Sequence, residues 1–342
     1  MGLGGCLLAA PRWFLGAATR LTDSVGRKVV TKGPVEQVFP AGPPAAIFLY
    51  MLAPELMSGW PRALHADERI GIAPAYRDLP VVGRLTGRGG SANLETVLAM
   101  KPDLILDYGS LKATYVSLAD RVQQQTGIPY ALIDGRFDRI PESFSKVGEL
   151  VGRAGRGRAC ADEARAIIDE LAEVRARIAP ADHPRVYYGR GADGLATGLE
   201  GSINIELLGH AGAVNVAAGA GEGGLARVSL EQIIGWDPDV VLTTDPNFYD
   251  LVWTHSVWRT LRAVRAKRVY LSPSIPFGWF DRPPSANRLI GLRWLLSVLY
   301  PDRFAARLEE VTRDFYAFFY HVDLDDAAVK TILGPGTRPD TA

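Results

Sequence analysis

The chain has 342 residues, of which 47 % are hydrophobic, and its 38 Lys and Arg residues balance its 38 Asp and Glu residues. This length exceeds the roughly 250–300 residues at which one core stops growing, so two lobes are expected, and the balanced charge argues against nucleic acid as a partner. Two cysteines, Cys6 and Cys160, exclude a disulfide framework and a structural zinc site, and no run of about 18 apolar residues predicts a membrane-spanning helix.

Residues 1–20 have the composition of an export signal. They are apolar and rich in small residues, but they lack a basic start, and Arg12 interrupts them. The sequence Leu-Gly-Gly-Cys at Leu3–Cys6 is similar to a lipoprotein cleavage site, although it lies too close to Met1 for an apolar region to precede it. We interpret residues 1–20 as a signal or leader remnant, which a misplaced start codon or a degraded signal would explain, and we expect the mature chain to be exported.

After this segment, short apolar strands alternate with helices. This alternation is typical of parallel sheets covered by helices on both faces. The sequence therefore predicts an α/β fold of two doubly wound lobes, at residues 21–140 and 180–325, with a ligand cleft between them and a flexible tail at residues 326–342. The predicted strands are Gln37–Phe39, Leu104–Asp107, Tyr130–Ile133, Arg185–Tyr188, Val240–Thr243 and Arg268–Leu271.

A segment of the first lobe recurs in the second lobe. NLETVLAMKPDLILD begins at Asn93, SLEQIIGWDPDVVLT begins at Ser229, and the two align without a gap. Both copies predict a polar N-cap, a short helix, a Pro-Asp turn and a buried strand. The residues they share include the glutamates Glu95 and Glu231. The recurrence indicates two lobes of similar construction, although α/β proteins also repeat a helix-turn-strand unit by chance.

Between the lobes, residues 141–179 are predicted to form one long connecting helix. Apolar residues recur at helical spacing from Pro141 to Ile178, and Pro180 ends the pattern. A break near the middle is predicted by Gly152, Gly155 and Gly157. Because a helical connector is stiffer than a hinge of extended strands, we expect the lobes to open only modestly.

Three glycines after the predicted strand at residues 185–188 form a literal GxGxxG, namely Gly189, Gly191 and Gly194. A dinucleotide site would need a helix to begin inside this run, whereas helix-forming sequence resumes only near Ile203. We therefore expect no cofactor, and we interpret the run as a loop whose backbone N–H groups line the cleft, with Arg190 as its charged contact. A nucleotide-dependent oxidoreductase is the alternative from another functional class.

The segment Pro273–Leu296 has the densest chemistry in the chain. It places Trp279, Phe280 and Arg282 on a Pro- and Gly-rich loop directly after a predicted strand. Ligand sites in parallel α/β sheets lie beyond the carboxyl ends of the strands, so this loop is expected to reach the cleft. Aromatic rings with arginine suit flat, anionic or metal-chelate ligands. The alternative is that Trp279 and Phe280 plug the lobe while Arg282 pairs with Asp281.

Other loops are predicted to reach the same cleft from neighbouring strand ends. Each loop residue alone is more often solvated than ligand-binding, so the hypothesis is that they converge. The candidate residues on these loops are Arg84, Arg88, Tyr108 and Ser202, with Ala41–Pro44 and Thr244–Asn247 beside them.

Catalytic motifs are missing from the sequence. It contains no GxSxG and no HExxH, and its five histidines are scattered rather than set at metal-ligand spacing. We therefore expect a binding protein, with no catalytic residue and no metal ligand of its own.

From Leu21 to Asp323 the chain resembles the periplasmic binding proteins that carry iron-siderophore complexes, haem and cobalamin for ABC transporters. The resemblance rests on LTDSVGRKVV from Leu21, on the two repeat copies, and on TGLEGSINIELLGHAGAVNV from Thr197. It implies a monomeric solute-binding protein, in the periplasm or at the outer face of the cytoplasmic membrane, that carries a small metal-containing ligand to a permease.

The resemblance leaves the ligand open. A similar branch of the family carries molybdate or tungstate, and arginines with backbone N–H groups suit such oxyanions, whereas arginines with aromatic rings suit a ferric chelate. Since the sequence offers both sets, it does not identify the ligand. We expect a metal complex such as a ferric siderophore, cobalamin or haem, and a molybdate or tungstate oxyanion is the alternative.

The resemblance also implies two docking residues. In this family one surface glutamate on each lobe binds basic residues of the permease, and the matching positions are Glu95 and Glu231. Both stand in the first turn of a predicted helix, where complementarity to the helix dipole is the alternative explanation of an acidic residue.

Overall fold

Helices and short strands alternate along the chain, for which a computed structural model describes residues 19–87, 92–304 and 307–334. The strands are β1 (Arg20–Thr22), β2 (Lys28–Val30), β3 (Val38–Pro40), β4 (Leu104–Gly109), β5 (Tyr130–Asp134), β6 (Arg185–Gly189), β7 (Ala196–Gly198), β8 (Val214–Asn215), β9 (Leu225–Arg227), β10 (Val240–Thr243) and β11 (Val269–Leu271). The helices are α1 (Pro43–Leu52), α2 (Leu94–Met100), α3 (Ala113–Thr126), α4 (Ile140–Leu150), α5 (Ala154–Ala176), α6 (Glu206–His210), α7 (Leu230–Trp236), α8 (Pro246–Thr254), α9 (Arg262–Arg265), α10 (Arg288–Leu299), α11 (Pro301–Phe304), α12 (Leu308–Phe315) and α13 (Asp326–Leu333).

Two parallel sheets organise the molecule. The first has the strand order β3-β4-β5, the second has the order β11-β10-β6-β8, and every neighbouring pair in them is parallel. Their central strands β4 and β10 are apolar runs that are buried on both faces, as parallel sheets require. Each predicted strand is present with its ends within two residues, so the predicted α/β fold is confirmed. The segment LTDSVGRKVV, on which the resemblance partly rests, forms most of the antiparallel hairpin β1-β2.

The repeated segment folds into the same unit in both lobes. The N-cap side chains of Asn93 and Ser229 each accept a hydrogen bond from the backbone N–H three residues later, which satisfies a free donor of the first helical turn. After the last helical residue, Lys101 and Asp237 both adopt the left-handed conformation, with φ of 50° and 40°. The two copies therefore begin and end their helices by the same means.

The Pro-Asp turn ties each helix of the repeat to the neighbouring strand. The Asp103 carboxylate accepts a hydrogen bond from the backbone N–H of Gln37 at 2.9 Å, just ahead of β3. The Asp239 carboxylate accepts one from the N–H of Arg185 at 2.8 Å, at the start of β6. Equivalent residues thus make equivalent contacts, so the recurrence is structural rather than accidental.

Residues 141–179 form a helical hairpin and not one continuous helix, which corrects the prediction. Helix α4 ends at Leu150 and α5 begins at Ala154, so the predicted break is present. A Cβ atom added to Gly148 would lie 2.7 Å from the Cα of Gly157, so only glycine lets the two helices approach this closely. The long helix between the sheets is α5, with 23 residues.

One continuous hydrophobic core runs from one lobe to the other. Its buried side chains come from α1, β4 and α4 in the first half and from β6, β10 and α10 in the second half. Smaller cores cover the outer face of each sheet. Separating the lobes would expose part of the shared core to water, so the hydrophobic effect opposes a wide opening.

A buried arginine joins the two lobes. The Arg288 side chain, at the start of α10, is fully buried; its Nη2 donates to the carbonyl of Gly135, and its Nη1 pairs with Glu206. The Glu206 carboxylate also accepts a hydrogen bond from the N–H of Phe137 at 2.8 Å. Because Gly135 and Phe137 follow β5 of the first lobe, the Arg288–Glu206 pair locks that turn to the second lobe. Burial raises the pKa of Glu206, and the charge of Arg288 opposes that rise.

The C-terminal residues fold where the sequence predicts a flexible tail. Residues 326–333 form α13, which corrects the prediction for that part of the tail. Apolar residues recur there at helical spacing, and this periodicity is the signal that the prediction missed. The side chains that α13 buries include Val329, Ile332 and Leu333. The rest of the predicted tail from residue 335, and residues 1–18 of the predicted leader, lie outside the described residues.

Replacing Arg288 with methionine is expected to lower the free energy of unfolding by about 3–5 kcal/mol, because it leaves the Glu206 carboxylate buried without its partner. Urea denaturation followed by circular dichroism would measure the loss. The matched control is Arg165→Met, which removes an exposed pair with Asp162 on α5 and is expected to cost less than about 1 kcal/mol. Equal losses for the two variants would contradict the role of Arg288 between the lobes.

Candidate functional site

Three strands of the second lobe end side by side. The register places Thr243 of β10 opposite Gly189 of β6 and opposite Leu271 of β11. The loops that follow therefore leave the sheet at one edge, which is where ligands bind in parallel α/β sheets. These loops carry Arg190, Thr244 and Arg282.

Asp281 holds these loops together from inside the protein. Its side chain is fully buried. Oδ2 accepts a hydrogen bond from the hydroxyl of Tyr188 at 2.9 Å and lies 2.9 Å from Nε of Arg190. Oδ1 accepts hydrogen bonds from Nδ2 of Asn204 at 2.8 Å and from the backbone N–H of Arg282 at 2.7 Å. A buried carboxylate with partners on both oxygens is compensated for its lost hydration, so it can fix the positions of separate segments.

Arg190 is held on one edge only. Its Nε forms an ion pair with Oδ2 of Asp281 at 2.9 Å without an aligned hydrogen bond, the side chain is 17 % exposed, and its terminal nitrogens form no hydrogen bond within the described residues. A guanidinium fixed in this way keeps its planar fork for a second, bidentate contact. Arg190 is therefore an oriented cation that can bind an anion beyond the ends of the strands.

Arg282 lies beside this cation and has a different partner. Its Nη1 is 3.2 Å from Oδ2 of Asp245, and not beside Asp281, with which the sequence suggested a pair. Its backbone is left-handed, with φ of 64°, and the hydrogen bond from its N–H to Asp281 holds this uncommon conformation. The side chain is half exposed, so Arg282 can turn toward a ligand without losing a buried contact.

Ser202 reaches the same network through a neighbour. Its hydroxyl lies 3.2 Å from Oδ1 of Asn204, whose amide nitrogen donates to Asp281. Ser202 is buried, and its link to the network around Arg190 and Arg282 runs through Asn204.

Among the predicted site residues of the first lobe, Tyr108 lies within the core. It lies near the end of β4, its ring stacks on Phe48 with centroids 4.5 Å apart, and only 1 % of the residue is exposed. Its hydroxyl is buried beside the guanidinium of Arg288, with no well-aligned hydrogen bond. Burial raises the pKa of Tyr108, and the nearby Arg288 opposes this rise, so the hydroxyl is protonated at neutral pH. The hydroxyl is therefore enclosed in the core beside Arg288 and does not reach the surface of the cleft.

Arg84 lies on the loop that runs beside the end of β3. The N–H groups of Leu85 and Thr86 both donate to the carbonyl of Ala41, directly after β3, at 2.7 and 2.9 Å. This places the backbone of Arg84 at the same edge of the first sheet. Arg88 lies outside the described residues.

The lobes also meet just beyond the carboxyl end of β4. Lys112, at the start of α3, donates to the carbonyl of Gly223 at 3.5 Å, on the glycine-rich loop ahead of β9. The loops of both lobes therefore bound one space, which we call the cleft.

Trp279 and Phe280 do not line the cleft, which corrects the expectation that they contact the ligand. Both rings are buried, Nε1 of Trp279 donates to the hydroxyl of Tyr316 at 3.2 Å, and Phe280 packs on Tyr188 with centroids 4.8 Å apart. Helix α10 lies so close that a Cβ atom on Gly291 would be 2.1 Å from the carbonyl oxygen of Trp279. The two rings therefore plug the lobe, as the alternative interpretation holds.

The glycines at the end of β6 and in the loop after it make room for the side chain of Phe248 and not for a nucleotide. A Cβ atom on Gly189 or Gly194 would lie 2.4 or 2.2 Å from the ring of Phe248, so these glycines make room for that ring. The chain then continues into the short strand β7 instead of a helix, so the geometry of a dinucleotide site is missing. The expectation that the motif is fortuitous agrees with this path.

Sequence reasoning missed the residues that support the site. Tyr188, Asn204 and Arg288 were not singled out, and Asp281 was paired with the wrong arginine. A charged residue at the start of the apolar helix RLIGLRWLL was the available signal for Arg288, because a buried charge needs partners.

The other polar features of the described chain give weaker support for a binding site. A polar cavity of about 250 Å³ lies at the end of β5, but its charges pair with one another, as Arg136 does with Asp134 and Lys146 with Glu142. Within the part of the chain that the structure describes, no cluster of three His, Cys, Asp or Glu residues could hold a metal ion. Within the same residues, no helix is both long and apolar enough to cross a membrane.

Comparisons with known proteins point to one family. The family described as Periplasmic binding protein matches residues 50–276. A solved structure of an ABC transporter solute binding protein from Sulfurospirillum deleyianum superposes with a TM-score of 0.83 at 30 % identity, covering 92 % of this chain and 98 % of that chain.

Two further relatives differ in the ligand that they are named for. The molybdate-binding protein MolA of Haemophilus influenzae is 26 % identical over 309 residues, covering 80 % of this chain and 82 % of that protein. Its structure with bound molybdate has a TM-score of 0.72 at 24 % identity and covers 90 % of this chain and 99 % of that chain. A cobalamin-binding protein of Halobacterium salinarum is 28 % identical over 186 residues, covering 52 % of this chain and 48 % of that protein.

Asp107, next to Tyr108 on β4, is a buried acid whose titration can be measured. Its carboxylate accepts a hydrogen bond from the hydroxyl of Tyr130 at 3.0 Å and one from Thr86 at 3.4 Å. Burial outweighs these hydrogen bonds and raises the pKa of Asp107 from 3.8 to about 6.

We expect the free energy of unfolding of Asp107→Asn, measured relative to that of the wild type, to increase as the pH rises from 4 to 7. The native protein binds the Asp107 proton more tightly than the unfolded chain, so the wild type loses stability as this group ionises between about pH 4 and pH 6. A pKa difference of about 2 corresponds to about 3 kcal/mol, and the asparagine lacks this loss. Urea unfolding across this pH range measures the difference. The exposed Asp162→Asn is the control, and identical pH profiles for the two variants would contradict the account.

Proposed function

Because the chain belongs to the periplasmic binding protein family, we propose that it captures a small metal-containing oxyanion, of the molybdate or tungstate class, in the cleft between its lobes. The observation that carries the proposal is the Arg190 guanidinium, whose Nε forms an ion pair with the buried Asp281 while its other nitrogens have no partner within the described residues. A tetrahedral oxyanion with two negative charges can accept both arms of this fork.

Both lobes would contribute to the ligand. Arg190 is proposed to provide charge from the second lobe, and Tyr108 is proposed as a contact from the first lobe, which requires its buried hydroxyl to become exposed when the ligand binds. Arg282 and Ser202 are proposed as further contacts, and Arg84 and Arg88 as cations at the rim on the side of the first lobe. Since the family binds and releases solutes, none of these residues is assigned a catalytic role.

The proposal favours an oxyanion over a flat metal chelate because of where the aromatic rings lie. Trp279 and Phe280, which would stack on a chelate, are buried. The large apolar side chains that are exposed in the described chain all lie outside the loops that follow β6, β10 and β11, namely Val30, Val81, Leu98, Val214 and Ile234. These loops therefore present charge and hydrogen bonds but no large apolar surface.

The relatives support the same ranking. The molybdate-binding relative matches 80 % of this chain, whereas the cobalamin-binding relative matches 52 %. A ferric siderophore, haem or cobalamin is the second candidate, which the sequence favoured on the strength of its aromatic loop. The two candidates differ in size and in apolar surface, so direct binding measurements separate them.

We further propose that the protein works outside the cytoplasm and hands its ligand to the permease of an ABC importer. Glu95 and Glu231 would dock on basic residues of the permease. Both glutamates are exposed in the first turn of equivalent helices, α2 and α7. Hydrogen bonds from its own backbone N–H and from Ser229 lower the pKa of Glu231, which keeps it ionised over the neutral range.

Molybdate and tungstate are expected to raise the melting temperature of the purified protein, whereas ferric siderophores, haemin and cobalamin are expected to leave it unchanged. At about a hundred times the dissociation constant, binding to the native state adds roughly 2.7 kcal/mol of stability, which a thermal-shift assay detects readily. Sulfate is the control for anion binding without specificity. Stabilisation by a metal chelate and by no oxyanion would overturn the proposed ligand class.

Arg190→Gln is expected to weaken oxyanion binding by about tenfold to a hundredfold, the loss of a charge-assisted hydrogen-bonding pair. Isothermal titration calorimetry with molybdate measures the change. Arg227→Gln removes an exposed arginine of the same lobe, paired with Asp193, and is expected to bind as the wild type does. An unchanged affinity for Arg190→Gln would place the ligand elsewhere.

A further inference from the structure

The repeated helices α2 and α7 expose the same side chains in the same order. In each helix the third residue after the glutamate is a large aliphatic residue that is 44 % exposed, Leu98 in α2 and Ile234 in α7. The next residue is small and exposed, Ala99 or Gly235. Sequence resemblance between the copies therefore extends to an exposed apolar residue that neither helix needs for its own core.

Packing within the lobe does not explain these two residues. Each helix already has a buried anchor, Val97 or Ile233, which faces the sheet. Single exposed aliphatic residues are common on protein surfaces, but two at equivalent positions of an internal repeat are a coincidence that chance does not favour. Residues three apart on a helix are neighbours, so each aliphatic side chain lies beside the glutamate of its own helix.

Both helices start at the edge of their sheet where the cleft lies. In the first lobe the N–H of Ala92 donates to the carbonyl of Arg84 at 3.1 Å, on the loop that is bound to Ala41 at the end of β3. In the second lobe the N–H of Val228 donates to the carbonyl of Leu195 at 2.9 Å, on the loop that follows β6. A partner that binds both helix starts would therefore span the opening of the cleft.

From this geometry we infer that each lobe docks through a two-part contact, in which Glu95 and Leu98, or Glu231 and Ile234, bind a basic residue and an adjacent apolar pocket of the importer's membrane subunits. The inference rests on the proposed delivery to a permease and adds the apolar half of the contact. The glutamates attract and orient the partner, whereas burial of the aliphatic side chains slows its release. The small residues Ala99 and Gly235 let the partner's surface come close.

Two equivalent contacts predict a partner with two equivalent subunits. A pair of like membrane subunits related by a twofold axis presents the same basic and apolar surface twice, which matches the repeat. A second copy of this chain fits less well, because contact between equivalent surfaces would bring glutamate against glutamate.

Binding of the purified protein to its cognate importer in lipid nanodiscs tests the inference. We expect Leu98→Ser and Ile234→Ser each to weaken docking by about tenfold, mainly through faster dissociation, with molybdate affinity and melting temperature unchanged. Glu95→Gln and Glu231→Gln are expected to slow association instead and to reduce its dependence on salt. Surface plasmon resonance at two salt concentrations separates the two effects.

Val30→Ser and Val214→Ser are the matched controls, because these valines are 43 % and 44 % exposed and lie outside α2 and α7. Both are expected to dock like the wild type. Wild-type docking by Leu98→Ser and Ile234→Ser would overturn the inference while leaving the proposed function intact. If the wild-type protein itself fails to dock with ligand bound, the proposed delivery function fails. Dimers of this chain that Leu98→Ser abolishes would replace the membrane partner by a second copy and also overturn the inference.

Discussion

The buried guanidinium of Arg288 sets the geometry on which the cleft depends. It pairs with Glu206 and donates to the carbonyl of Gly135, so the turn after β5 in the first lobe is fixed to the start of α10 in the second. Taking this pair out of water is costly, and its full set of hydrogen bonds offsets much of that cost. The Arg288–Glu206 pair can form only when the two lobes take one relative placement. We therefore interpret the buried pair as specifying that placement more than as adding net stability. Together with the shared hydrophobic core, it opposes a wide separation of the two lobes.

Asp281 is a second buried charge that fixes separate segments, here the loops proposed to bind the ligand. A fully buried carboxylate receives its partners from several loops, and Arg190 is the one partner that keeps part of its hydrogen-bonding capacity for the cleft. Because the arginine is already oriented, a ligand that binds it orders few side chains, and less free energy is lost on binding. A rigid, charged site suits a compact anion. The same rigidity allows α2 and α7 to keep a fixed separation, which a partner that must contact both of them requires.

The sequence predicts what depends on local pattern. The strands, the paired repeat and the helix break near Gly152 follow from periodicity, turn residues and glycine, and all are present. The contacts of Asp281 do not follow, because it meets Tyr188 across 93 residues of chain and nothing local marks the pair. The side on which Trp279 lies could not be predicted either: the ring is enclosed because Gly291 lets α10 approach, a contact set by packing between distant segments. Helix α13 could have been predicted, because the helical spacing of its apolar residues is visible in the sequence.

The central claim is that one oxyanion binds between the two lobes on Arg190. An anomalous difference map, from crystals grown with tungstate and measured at the tungsten absorption edge, tests it most directly. The account predicts one strong peak in the cleft, within hydrogen-bonding distance of the Arg190 guanidinium. A peak on another surface with the cleft unchanged, or no peak at saturating tungstate, would contradict it.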